Sequence, residues 1–394
     1  MVPPVPGKPD ATLDGSLYRR DPTAFLQLVS DYRIALQGDV EVVRARLLPG
    51  LDGHDPAVRA ALAAWGGEAY VQDDESGTEV VLVRPLPGQP PRWRLPTWLF
   101  LLTLFTTLLA GALMQGSDPL ATRFTAGGWL AYPTGIDAGA LWKGATFALP
   151  FLAILLAHES GHYFAARRHH IPVTPPYFIP MPPWLSLVGT MGAFIRIKGP
   201  TVRRSVLFDV GAAGPYASFL LALPALLVGL ALSAPVPGAA DAATPFAIRF
   251  AGETVWLGNT PLLHLLGSLY FPEFGAEPVL LHPLAFAGWL GMFVTALNLM
   301  PLGQLDGGHI LYALWGEPGQ ERTARLFVLA LIPLGMLWWG WWLWGTAALL
   351  VNRGRLRHPP VLQPRVPLGP RRRLLARLAI LMFFLTLPPV PLAL

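Results

Sequence analysis

Two histidines and a glutamate stand among apolar neighbours in the stretch ILLAHESGHYFAARRHH, residues 154–170. His158, Glu159 and His162 form the pattern H-E-x-x-H. On a helix, positions i and i+4 share one face, so both imidazoles reach a single metal ion. Glu159 lies beside that face, where a carboxylate serves as general base toward a water at the ion. The chain contains no cysteine, which removes thiolate ligands and disulfides and leaves His, Asp and Glu as donors. That donor set points to one Zn2+ ion. The opposing reading, satisfied side chains at a helix interface, has to place three costly polar groups within five apolar-flanked residues.

A catalytic zinc site takes a third protein ligand and leaves one position open. Asp306 supplies it, in the segment ALNLMPLGQLDGGHILYAL, residues 296–314. Pro301 and Gly303 break the helical pattern just before it, and irregular backbone at membrane depth is tolerated where it lines a protein cavity. His309, one turn on, is either a rival ligand or a helix-facing histidine near the interface. Asn298 either binds a substrate carbonyl or its oxyanion, or satisfies a backbone group freed by the break.

The elements that must position these groups follow from composition. Of 394 residues, 53% are hydrophobic and 13% charged, about half the charged fraction of a soluble domain. The net charge is +5, almost all of it arginine, since lysine occurs only at positions 8, 143 and 198. The arginines flank apolar runs rather than forming a stripe, which suits a lipid bilayer and excludes nucleic acid as a partner. Apolar segments of spanning length fall at 96–114, 141–166, 206–233, 284–300 with a continuation to 316, 326–350 and 372–393. Arg92 and Arg94 ahead of the first place the amino terminus in the cytoplasm. One crossing over 326–350 would leave the basic tail 352–373 outside; a broken helical hairpin would bring it inside. Residues 1–92 lack a long apolar run, a signal-peptide core and the composition of a transit peptide. They read as a small soluble α+β domain, a packing or regulatory appendage. Its predicted parts are helices over 21–36 and 55–66 and a hairpin over 68–84.

His158-Glu159-x-x-His162 on one helix, with Asn298 eight residues before Asp306 on a later one, resembles the site-2 protease family of intramembrane zinc metalloproteases. The similarity covers about residues 141–316 and is nearest to the bacterial and plastid branch with an amino-terminal soluble domain. It implies an all-α polytopic membrane protein of about six or more transmembrane helices, with a three-helix catalytic core and a membrane-associated β-hairpin. Residues 93–394 then form the protease domain of a multi-pass protein in a bacterial inner (cell) membrane, with its active site toward the cytoplasm. His158, His162 and Asp306 are carried over as ligands, Glu159 as the base, and a transmembrane protein or peptide as the substrate. The stretch GTMGAFIRIKGP, residues 189–200, reads as a strand or hairpin. Gly189, Gly192 and Phe194 there either hold an extended substrate by strand addition or belong to an interfacial anchor. The chain departs from the plastid pattern in reading Gly-Gln-Leu-Asp-Gly at the third ligand, and it shows no PDZ-like insertion. A prenyl-protein type of membrane protease would need a ligating Glu that the later segments do not place. A transporter or channel using the cluster for cations or protons is the alternative from another class.

Overall fold

The computed structural model describes residues 25, 27–37, 40–65, 68–74, 77–85, 93–124, 131–199, 201, 203–238, 241–351, 354–359, 361–362 and 364–393. The chain divides into two compact units, 1–90 with 198–200, and 91–197 with 201–394.

In the first unit, strands β1 (Val29–Gln37), β2 (Val40–Leu47), β3 (Glu68–Asp74) and β4 (Gly77–Pro85) form an antiparallel sheet in the order β1-β2-β4-β3. Helix α1 (Pro56–Ala64) opens where Asp55 accepts from the Ala57 N–H at 2.8 Å and Pro56 fills the first turn. Val58, Val80 and Leu82 are fully buried between helix and sheet. The 55–66 helix and the 68–84 hairpin expected from sequence are present. The helix expected over 21–36 is overturned in its second half: Val29–Gln37 is a strand, because it pairs along its length with β2. Its residues before 25, and most of the 85–94 linker, lie outside the described residues.

The second unit is built on helices. They are α2 (Arg94–Met114), a short α3 (Ala138–Lys143), α4 (Ala145–Arg168), α5 (Arg204–Ala231), α6 (Pro261–Tyr270), α7 (Pro283–Asn298), α8 (Asp306–Leu337), α9 (Gly340–Val351) and α10 (Pro370–Thr386). Strands β5 (Arg123–Phe124) and β6 (Ala131–Tyr132) form one small ribbon, β7 (Tyr177–Pro180) and β8 (Thr190–Phe194) another. Helix α5 lies against α4, α7 and α8. Its approach to α7 is backbone-close: a Cβ on Gly288 would sit 2.5 Å from the Leu226 nitrogen. Phe147, Phe151, Phe286 and Trp289 fill the centre, with Phe147 and Phe286 stacked at 5.4 Å.

Three features differ from expectation or complete it. Strands β9 (Ala234–Pro235), β10 (Phe246–Phe250), β11 (Glu253–Leu257), β12 (Val279–Leu280) and β13 (Leu392–Ala393) form a five-stranded sheet. The all-α expectation is therefore corrected. The sheet is set by the hairpin β10–β11, whose Ala251 and Gly252 both take positive φ, 51° and 91°, as a two-residue turn requires. Second, among the described residues only α2 and α5 are long and apolar enough to cross a membrane by length and composition, against the six or more expected. Helix α4 carries the ionisable cluster, and the 16 residues of α7 reach only about 24 Å. Third, the apolar run 326–350 is a hairpin that breaks at Trp338–Trp339, where the Trp342 indole N–H donates to the Ile332 carbonyl at 3.2 Å. Helix α8 also kinks at Gly316, φ 75°. The outward faces of these helices are apolar, with Leu101, Leu220, Val228, Leu378 and Phe384 exposed.

The contact at Gly288 makes one prediction. Gly288→Val must separate α5 from α7, because the atoms it meets are backbone. Thermal unfolding of the purified protein should shift down by the equivalent of about 1–3 kcal/mol. An unchanged midpoint would refute the close packing.

Candidate metal centre

His158 and His162 sit one turn apart on the inner face of α4, 4% and 7% exposed, with Glu159 beside them at 7%. Asp306 arrives from a part of the chain 144 residues further on. The Met300–Leu305 turn, with Gly303 at φ 45°, ends α7 and sets Asp306 as the first residue of α8. There Asp306 Oδ2 lies 3.2 Å from His158 Nε2 and 3.3 Å from His162 Nε2, and the two Nε2 atoms are 3.1 Å apart.

The protons are elsewhere. His162 Nδ1–H donates to the Val210 carbonyl at 2.7 Å, which leaves its Nε2 with a bare lone pair. His158 Nδ1 meets Ser218 Oγ at 3.1 Å, and Ser218 is held by Thr295 Oγ1 at 2.9 Å. With Nδ1–H donating to Ser218, its Nε2 is bare as well. Asp306 Oδ2 is buried and accepts no hydrogen bond. Three electron-rich atoms thus face one another in a water-poor interior, an arrangement that a cation relieves. Tetrahedral zinc with ligands at about 2.0–2.1 Å sets them about 3.3 Å apart, which is the spacing found. Two imidazoles and one carboxylate leave a fourth position, and they fit zinc.

Small residues let this happen. A Cβ on Gly214 would run into the His162 ring, and one on Gly161 would meet the Ala213 carbonyl at 2.5 Å. Asp209, next to Val210, accepts from Arg372 of α10 through Nε at 2.7 Å and Nη2 at 2.8 Å. The same carboxylate lies 3.0 Å from His169 Nε2 at the end of α4. That clamp ties three helix ends together beside the carbonyl that orients His162.

The remaining candidates are placed as follows. Asn298 Nδ2 is 3.4 Å from His158 Nε2, at the edge of the cluster. The Ile195 backbone N–H lies toward the Glu159 carboxylate, and the strand that ends at Phe194 contacts α4, so the end of β8 adjoins the site. Gly192 takes φ 103° with open space where a side chain would be, and Phe194 stacks on Tyr177 at 5.6 Å. Gly189 is turned away: its carbonyl accepts from Thr106 of α2 at 2.6 Å and from the Met181 N–H at 3.1 Å. His309 is not part of the cluster. Its Nδ1 is 2.7 Å from His358 Nε2. His358 is pushed down to about 3 by burial and by the neighbouring His309, so its ring is neutral and accepts from His309. Ser218, Thr295 and the Val210 carbonyl were not singled out by sequence. A serine at the depth of the apolar helix α5 was the available signal.

A family model described as peptidase family M50 matches residues 146–337. Among curated proteins, the probable zinc metalloprotease EGY1, chloroplastic, of Arabidopsis thaliana is 31% identical over 317 residues, 77% of this chain and 55% of that protein. The protein of the same name from Oryza sativa subsp. japonica is 32% identical over 314 residues, 77% of this chain and 52% of that one. The probable zinc metalloprotease EGY2, chloroplastic, of Oryza sativa subsp. indica is 30% identical over 261 residues, 65% and 43% of the two chains. The chain spans about half the length of the curated relatives it matches. No solved structure matches.

Ser218→Ala tests the orientation of the imidazole. Loss of a partner that fixes a ligating histidine costs 10–100-fold in metal affinity. Competition between the purified protein and a chelating zinc indicator should show a loss in that range; an unaltered affinity would mean that Ser218 does not orient His158.

Proposed function

We propose, from the match of residues 146–337 to the peptidase family M50 model, that the chain is a zinc-dependent endopeptidase acting on a transmembrane protein or peptide within the bilayer. One observation carries the reading: Nε2 of His158, Nε2 of His162 and Oδ2 of Asp306 converge at 3.1–3.3 Å, with the carboxylate oxygen accepting no hydrogen bond. These three hold the metal. Zinc bound there supplies Lewis acidity and lowers the pKa of a water toward 7.

Glu159, buried beside the ligands, takes a proton from the attacking water at its carboxylate and returns it to the leaving amine. Asn298, at the rim of the cluster, donates its amide N–H to the scissile carbonyl as charge develops on oxygen. The β8 segment at Gly192 and Phe194 presents backbone to an extended substrate, which has to leave its own helix to expose a peptide bond. Gly189 supports this segment from behind.

Membrane residence is supported by the family and by the apolar outward faces of α2, α5 and α10. In this reading residues 93–394 are the multi-pass protease domain, in which α4, α7, α8 and α10 cross together with α2 and α5, and residues 1–92 are a soluble appendage. The arginines at the starts of α2, α5 and α10 set the active-site end toward the cytoplasmic or equivalent side. The named relatives are chloroplastic and lend nothing to a bacterial inner membrane, so the reading retains a membrane without specifying whose.

Two variants separate metal binding from chemistry. Asp306→Ala should lose stoichiometric zinc by metal analysis, whereas Glu159→Gln should keep it. Cleavage of a reconstituted transmembrane peptide by Glu159→Gln should fall by about 10²–10⁴-fold, the range expected for loss of a general base. Full zinc in Asp306→Ala would remove the third ligand. Undiminished cleavage by Glu159→Gln would remove the mechanism, and ion flux across proteoliposomes without cleavage would favour a transporter.

A further inference from the structure

A cavity of about 410 Å³ runs between α8 and α10, and no residue of β7 or β8 lines it. Apart from Thr323 and the Trp315 indole its lining is apolar, with Leu326 and Phe327 on one wall and Ile380 and Phe383 on the other. Along α8 it extends at least from Thr323 to Leu334, which is roughly 16 Å of helix. Leu326 and Phe384 on its rim are exposed, so the groove opens outward along an apolar length that suits an extended hydrocarbon chain.

The charge at one end names the rest of the occupant. Arg322 lies one turn before Leu326 on α8, and Arg373 and Arg377 lie two turns and one turn before Ile380 on α10. All three are exposed, and none has a carboxylate partner among the described residues. Both helices run from this arginine end toward the apolar end of the groove. We propose that the α8–α10 groove binds an anionic phospholipid, with one acyl chain between Leu326 and Ile380 and the headgroup phosphate on Arg322, Arg373 and Arg377. The lining of the groove includes Pro301, within the turn that presents Asp306, and Gly307, just after Asp306. The bound chain therefore lies against the segment that holds the carboxylate.

The inference rests on membrane residence but not on proteolysis, and its test reads lipid directly. The full chain is placed in phosphatidylcholine nanodiscs carrying a minor fraction of diazirine-tailed phosphatidylglycerol or diazirine-tailed phosphatidylcholine. After irradiation, adducts are mapped by mass spectrometry. Adducts should concentrate on Leu326, Phe327 and Phe384 and favour phosphatidylglycerol. Arg322→Gln, Arg373→Gln and Arg377→Gln should each lower that preference about fivefold. Ala330→Trp, which fills the groove without touching the arginines, should suppress labelling by both lipids. Equal labelling by the two lipids, or labelling indifferent to Ala330→Trp, would mean ordinary boundary contact and overturn the proposal. Displacement of the label by a transmembrane peptide would assign the groove to a peptide and overturn it equally.

Discussion

Bare lone pairs cannot be crowded together in a low-dielectric interior without something positive between them. At the centre of this protein two imidazole nitrogens and one carboxylate oxygen lie within 3.3 Å of each other, and their hydrogen-bond geometry directs the imidazole protons outward. The surrounding architecture serves that convergence. Helix α4 supplies two of the atoms by its periodicity alone. The third needs a chain reversal, and the break between α7 and α8 places Asp306 at a helix start, where its carboxylate is also favoured by the helix dipole.

Helix α5 does the orienting although it contributes no ligand. Its Val210 carbonyl and Ser218 hydroxyl take the outward faces of the two rings, and Gly211 and Gly214 keep its surface flat enough for His309 and His162 to lie against it. Orientation of this kind is only as good as the register between α4 and α5. The Asp209 carboxylate fixes that register at the nearest helix ends, through His169 on one side and Arg372 on the other. Arg372 lies beyond the 146–337 family match, so the C-terminal helix belongs to the mechanical support of the site.

What could be read from the chain alone follows from how local each signal is. His158 and His162 are legible because a five-residue spacing maps directly onto one helical face. Asp306 is legible because a carboxylate amid leucines is costly enough to demand a partner. The Val210 carbonyl was not legible, since any residue at 210 carries one and only tertiary packing selects it. The strand Val29–Gln37 was read as helix because its apolar residues suit either period, and pairing with β2 decides the matter. The five-stranded sheet was passed over for a related reason. Three of its strands are two residues long, too short to carry a pattern, and the β10–β11 hairpin falls between the apolar segments 206–233 and 284–300.

The same economy explains how a polar centre coexists with apolar outward faces. A cluster that can hold a metal ion must be reachable from water, while the helices carrying the cluster present leucines outward. The polar path and the apolar surface therefore have to lie on different sides of the same helices. Glu159 lies toward the end of β8, where Gly192 leaves open space above the backbone. The break that carries Asp306 turns Pro301 and Gly307 toward an apolar groove. One short segment thus carries the buried carboxylate on one side and lines an apolar groove on the other. Small residues keep the segment thin: a Cβ on Gly307, next to Asp306, would collide with the Leu299 carbonyl and push the carboxylate away from the imidazoles.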